Sequence, residues 1–444
     1  VNLFHRKIKF FVICLLLIYI LTGCYDAKEL DEMTYVVAIG VDKGVSDNYR
    51  LTIKFHTMKG SQGGSGGGGG DGGGGGGGGG TSGGSYETLT IDAPSFFTGI
   101  NMINAIVARK LNFMHAKMLV FSEDIAKSGV STYIAPIIRF REIRRAMHVI
   151  VSRSSASKFI EAYEPIEGNA LAKAMELILT ESLEVGFISH VTLSDFYKGL
   201  KSTYRQPIAI LGGINSMNIL EEDGKGKVED AKKQSTDSVN INKYLAGDIP
   251  RKGGGKIEIY GTAVFDGDRM VGELTGEETR MLNILIGEFK KGNITVEDPL
   301  SPTVIVPIDV RMQRDPKVEV KKKDGKRNIN VLIRLEGDIL AVQSRINYEE
   351  EPLKTKLEGV LIQMLKDDIY SLIDKCKNWG VDIFGFGKKV SSDFYTIQEW
   401  EKFNWVKEFK NSDVNVDIKF VIRRTGTLLK SSPVITTEGT KPIE

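Results

Sequence analysis

The sequence predicts an α/β to α+β protein of several lobes, built from mixed β-sheets packed against helices. Three observations carry this. From Leu89 to Val151, stretches that alternate apolar and polar residues take turns with stretches of helical spacing, as a layered α/β lobe requires. Towards the C-terminus, an apolar helical face from Leu353 to Cys376 stands between alternating strands. With only three cysteines, at positions 14, 24 and 376, the chain cannot rely on a disulfide framework and must bury cores of adequate size.

The first segment is expected to be removed. His5, Arg6, Lys7 and Lys9 give a basic start, Phe10 to Ile20 is an unbroken apolar run, and Leu21-Thr22-Gly23-Cys24 follows at once. Such a pattern makes a secretory signal over residues 1–23, too short for a comfortable membrane span. Its end resembles the bacterial lipobox, in which the cysteine takes a diacylglycerol and becomes the new N-terminus after cleavage. Cys24 is the expected lipidation site, S-diacylglycerol and N-palmitoyl, and the body is expected on the outer face of a membrane. A single acyl chain anchors only marginally, at roughly 0.8 kcal/mol per buried CH₂, so two or more are needed. Cys14 leaves with the signal, and Cys376, on an apolar helix face, is a buried core thiol.

Residues 24–205 form the N-terminal α/β domain. Tyr35 to Asp42 reads as a buried strand, and Leu51, Ile53 and Phe55 alternate with Thr52, Lys54 and His56 as its hairpin partner. A glycine-rich insertion at 60–85 follows, with Ser65 and Asp71 the only other residues from Gly63 to Gly80. Glycine-loop patterns fit this tract in several registers, but no strand, helix or Lys-Ser/Thr partner frames them, so it reads as a flexible loop between strands. Phe96, Ile100, Ile103, Val107 and Leu111 keep helical spacing after Pro94-Ser95. Met118–Phe121 and Met147–Val151 read as strands, and 156–163, 170–183 and 193–200 as helices.

Residues 206–256 are expected to be a variable polar connecting region, because 221–256 is polar, glycine-rich and of mixed charge. The C-terminal α+β domain then spans 257–444. Ile257–Phe265 and Thr303–Val310 are strands around a helix at 276–289, and Val318 to Leu335 is a hairpin turning at Asp324-Gly325. Pro352 opens the strongest helix, which Gly380 stops. Val414, Val416, Ile418, Phe420 and Ile422 alternate as an edge or half-buried strand.

Composition excludes several classes of function. Without Arg6, Lys7 and Lys9 the chain has 56 basic against 57 acidic residues, a balance that suggests no polyanion-binding surface and argues against nucleic acid. His56, His115, His148 and His190 lack the spacing of a zinc site, and no cysteine completes one. His56 and His115 read as capping or surface groups. Acidic pairs such as Asp367-Asp368 read as solvated positions, and no nucleophile–base pair is recognisable. An enzyme is not expected.

Islands along the chain point to one family. Gly23-Cys24-Tyr25-Asp26 with Lys28-Glu29-Leu30, then Ala38 to Asp42, Leu111 to Lys117, Gly261 to Phe265 with Val271-Gly272, Asp382 to Gly387, Trp400 and Arg423 to Gly426 follow one another in order. They resemble the Ger(x)C family, the C subunits of bacterial spore nutrient germinant receptors, although Tyr25 stands where the family has Trp and the glycine tract is an insertion. The resemblance implies a lipoprotein on the outer face of the spore inner membrane, beside an integral A subunit and a transporter-like B subunit. It implies a structural or signal-relaying role and no cofactor. It identifies no ligand-binding residue; the islands, Gly40, Gly261 and Gly385 among them, read as fold-defining. A solute-binding lipoprotein of an uptake system is the alternative, but the two halves show no matching βα repeats.

Overall fold

The computed structural model describes residues 2–21, 32–57, 85–164, 171–216, 244–323, 326–424, 435–436 and 439–440. Cys24, the glycine tract and residues 221–243 lie outside these. Asn2–Leu21 is helix α1, and no helix among the described residues is long and apolar enough to cross a membrane.

Mixed sheets packed with helices make up the body. The first sheet has nine strands: β1 (Met33–Lys43), β2 (Tyr49–Thr57), β3 (Ser85–Ala93), β4 (Lys110–Asn112), β5 (Met118–Ser122), β6 (His148–Ser152), β7 (Ile208–Ile214), β8 (Ile257–Asp266) and β9 (Arg269–Leu274). Its order is β3-β2-β1-β5-β6-β7-β8-β9, with β4 beside the start of β1. The inner strands β1, β5, β6 and β7 run parallel, and antiparallel pairs finish both sides. Parallel strands need both faces covered. On one face lie α2 (Phe96–Ile106), α3 (Glu123–Ser128), α4 (Ser131–Arg139) and α7 (Leu193–Lys201), through Ile100, Ile125, Ile134 and Phe196. The other is covered by α5 (Ala156–Ala162) and α6 (Leu171–Val185), through Phe159, Ile160, Met175 and Leu179. Asp42, at the end of β1, accepts hydrogen bonds from the Ala156 and Ser157 amides and so fixes the start of α5.

The second sheet has the order β10 (Lys291–Asp298), β11 (Ser301–Lys323), β12 (Lys326–Ile339), β13 (Asp413–Arg424). β12 and β13 are parallel, and α9 (Leu353–Trp379) lies in the chain between them. Its buried stripe, Leu357, Leu361, Leu365, Ile369, Leu372 and Cys376, joins the core formed with the inward side chains of β10–β13. Val414, Val416, Ile418, Phe420 and Ile422 all point inward, as their alternation requires. Helix α8 (Gly276–Ile286), closed by a Thr275/Glu278 capping box, shares this core and packs on α9, β8 and β11.

Several elements depart from the sequence reading. The helix from Phe96 stops at Ile106 instead of reaching Leu111, because Lys110–Asn112 pairs with Met33–Tyr35 and leaves the helical register. His115 therefore sits in a turn, edge-on to Tyr35 at 4.9 Å. The strands read at 303–310 and 318–320 are one strand; its register shifts around Arg314–Lys317 absorb Pro316. Ile208–Ile214, placed by sequence in the polar connecting region 206–256, is a buried strand, and β8–β9 continue the first sheet past the boundary at 257.

Candidate functional site

Three of the islands, through Asp382 to Gly387, Trp400 and Gly272, meet where the two lobes touch. Helix α9 ends at Gly380, a left-handed cap whose amide donates to the Lys377 carbonyl while the Val381 amide donates to that of Cys376. This pair of hydrogen bonds turns the chain sharply, and Asp382 comes soon after. Its Oδ1 accepts from the Phe384 and Gly385 amides at 3.0 and 2.9 Å, and its Oδ2 from the Gly387 amide and Trp405 Nε1 at 2.9 and 2.8 Å. Its own carbonyl accepts from the Gln206 amide at 2.8 Å. Burial pushes the Asp382 carboxyl up from its ordinary range, and the bonds from Gly387, Trp405 and Gly385 work the other way. Four donors face it among the described residues, so both carboxylate oxygens are engaged in holding the turn together.

The turn also binds the first lobe. Gln206, in the link from α7 to β7, gives its amide to Asp382 and its side-chain oxygen to the Gly267 amide in the β8–β9 hairpin at 2.8 Å. All three tryptophans lie at this junction. Trp405 is buried against Gly387, where a Cβ would approach Cδ1 to 2.3 Å, so only glycine fits. Trp400 donates from Nε1 to Thr203 Oγ1 at 2.8 Å. Trp379 covers Gly272 of β9, where a Cβ would meet its ring at 2.1 Å. On α9, Lys375 donates to Glu278 of the α8 capping box at 2.7 Å and to the Glu273 carbonyl at 3.0 Å. The VDIFGFG turn thus works as a latch between lobes, and Phe384 stacks on Phe386 at 5.1 Å to fill it.

Beside the latch lies a cleft of about 440 Å³, lined by His190, Asp195, Lys198, Arg205, Glu288 and Phe384 among others. Its charges are of both signs. Among the described residues no group of three or more His, Cys, Asp or Glu side chains stands ready for a metal. The structure does bring together His148 and His190, distant in sequence, with ring centroids 5.1 Å apart. Burial, then the neighbouring His190, lowers His148 to about 4. His56 stands edge-on to Tyr86 at 5.3 Å. Cys376 is fully buried in the α9 core, and burial raises its thiol well above the usual range. The expected lipidation site, Cys24, is outside the described residues. Sequence reasoning missed Gln206 and the Trp405 partner of Asp382; the signal was an acid placed after a helix stop and before two glycines.

Comparison with known proteins gives the same outline. Residues 26–212 match the family described as spore germination protein N-terminal domain, and 260–426 match the one described as spore germination B3/GerAC like, C-terminal. Spore germination protein KC of Bacillus subtilis (strain 168) is 25% identical over 97% of this chain and 98% of its own length. The putative spore germination protein YfkR of the same organism is 23% identical over 95% and 97%. The crystal structure of the GerBC protein aligns with 86% of this chain and 96% of its own at 13% identity, with a TM-score of 0.48. With both domain matches in order and nearly full-length relatives, the chain belongs to the Ger(x)C family of spore germination proteins.

Proposed function

We propose that the chain is the lipid-anchored C subunit of a spore nutrient germinant receptor, working beside integral A and B subunits on the outer face of the spore inner membrane. The collinear match of both spore-germination domains carries this reading, with the L-T-G-C motif ending two residues before the first of them. The subunit catalyses nothing: it assembles the receptor or relays its signal. The Asp382 latch supports such a role, because its hydrogen bonds tie the two lobes together where they touch.

Metabolic labelling with a fatty-acid analogue and affinity purification from detergent-solubilised spore membranes test the proposal together. The parent chain takes label and brings down both integral subunits, and Cys24→Ala takes none. Equal labelling of the mutant overturns the anchor; labelling without co-purification of either subunit overturns the assignment to the receptor.

A further inference from the structure

The parallel strands β1, β4, β5 and β6 all start at one end of the first sheet: Met33 opposes Lys110, and Met118 opposes His148. The segments leading into β4, β5 and β6 gather there. They carry Arg109, Lys110, Arg139, Arg141, Arg144 and Arg145, and none of these six has a side-chain hydrogen bond or ion pair among the described residues. Segment 106–117 has no acid and 139–147 has only Glu142; the acids of this end lie on the tether before β1, where Asp26, Glu29, Asp31 and Glu32 stand beside Lys28. Large apolar side chains are exposed on the same elements: Ile106 is 64% exposed, Met114 47%, Phe97 43% and Met102 39%. Phe97 rests on Phe140, and Phe140 on Phe113, so helix α2 and the arginine loop form one continuous surface.

We infer that this face lies on an anionic lipid surface, with Ile106 and Met114 entering the headgroup region and the arginines meeting lipid phosphates. Basic side chains ringing exposed apolar ones are the chemistry of interfacial membrane contact. The inference rests on the proposed anchor at Cys24 for its geometry. Nine residue steps lead from Cys24 to Met33, and at about 3.5 Å each they reach at most roughly 30 Å, which keeps this end of the sheet close to the bilayer. Each basic side chain near an anionic surface strengthens contact roughly fivefold, and salt weakens it.

Hydrogen exchange on the full lipidated chain tests this in vesicles of equal parts phosphatidylglycerol and phosphatidylethanolamine, and in phosphatidylcholine vesicles. Exchange over 97–117 and 139–147 slows on the anionic vesicles alone. The variant R144E/R145E, altered at exposed positions, keeps its melting temperature and its flotation with vesicles but loses the slowing. Flotation without local slowing, or equal slowing on phosphatidylcholine, overturns the lipid face and leaves the anchor standing. Slowing that requires the integral subunits makes the face a protein contact and also overturns it. A chain that floats with neither vesicle overturns the anchor and this inference together.

Discussion

Asp382 and Trp405, 23 positions apart, meet in a 2.8 Å hydrogen bond from the indole Nε1 to the carboxylate Oδ2, with both residues buried. This bond closes the turn that Gly380 opens and secures the point where the second lobe grips Gln206 of the first.

Asp382→Asn is therefore the sharpest test of the latch. An amide nitrogen replaces one acceptor oxygen and faces two donors it cannot satisfy, at about 1–3 kcal/mol for each buried group left unpaired. Trp405→Phe loses one bond and leaves three donors on the carboxylate, so it costs less. Chemical denaturation of both variants should rank Asp382→Asn well below Trp405→Phe, and equal stability of the two would remove the latch from the account.

In helix α9 the two faces predict opposite signs. Leu361 is fully buried, so Leu361→Asp buries an unpartnered carboxylate at a cost of several kcal/mol, and the subunit should vanish from membrane blots. Gly359 lies two residues earlier on the same helix, and a Cβ there meets nothing within 4 Å. Gly359→Ala should raise stability by about 0.5–1 kcal/mol in a thermal melt. A normal level of Leu361→Asp would mean the core is assigned wrongly.

His148 predicts acid sensitivity. Its value falls from an ordinary 6.5 to about 4 through burial first and His190 second. The unfolded chain takes up its proton as pH drops through 6.5 and the folded one only near 4, so stability is full above 6.5 and declines between the two values. The loss amounts to about 2–3 kcal/mol. Melts from pH 7 to pH 4 should show a shallower decline for His148→Gln; parallel curves would discard the idea.

Shortening Gly63–Gly80 should leave the fold intact. Strands β2 and β3 are paired from Tyr49 with Ala93 to Thr57 with Ser85, so their register is set without the tract. A fourfold shorter loop lowers closure cost by about 1 kcal/mol, and the melting temperature should hold or rise slightly. A marked drop would make the tract a specific contact.

Local pattern explains which parts were legible in the sequence. The alternation in β13 and the Leu357-to-Cys376 stripe encode their own burial, and Gly380 stops the helix where expected. Leu111 keeps the helical spacing of Phe96 to Val107, and its pairing with Thr34 in the sheet overrode that local period. Ile208–Ile214 escaped notice because a short apolar run beside a polar stretch has no period of its own. The latch was half visible: Asp382 to Gly387 stood out as an island, but its hold on Gln206 and Trp405 exists only after the chain has folded back.

The pairing of β7 with β8 has a consequence for dissecting and recombining these proteins. One family domain ends at 212, inside β7, and the other starts at 260, inside β8, so the natural cut between them runs along a hydrogen-bonded ladder. A fragment ending after β7 would present a raw strand edge to its neighbours and should aggregate, and one starting at β8 would carry an orphan hairpin. Chimeras joined in the 217–243 stretch would need both parents to offer matching edges. The boundary that separates the two family matches is therefore a poor place to cut the folded chain.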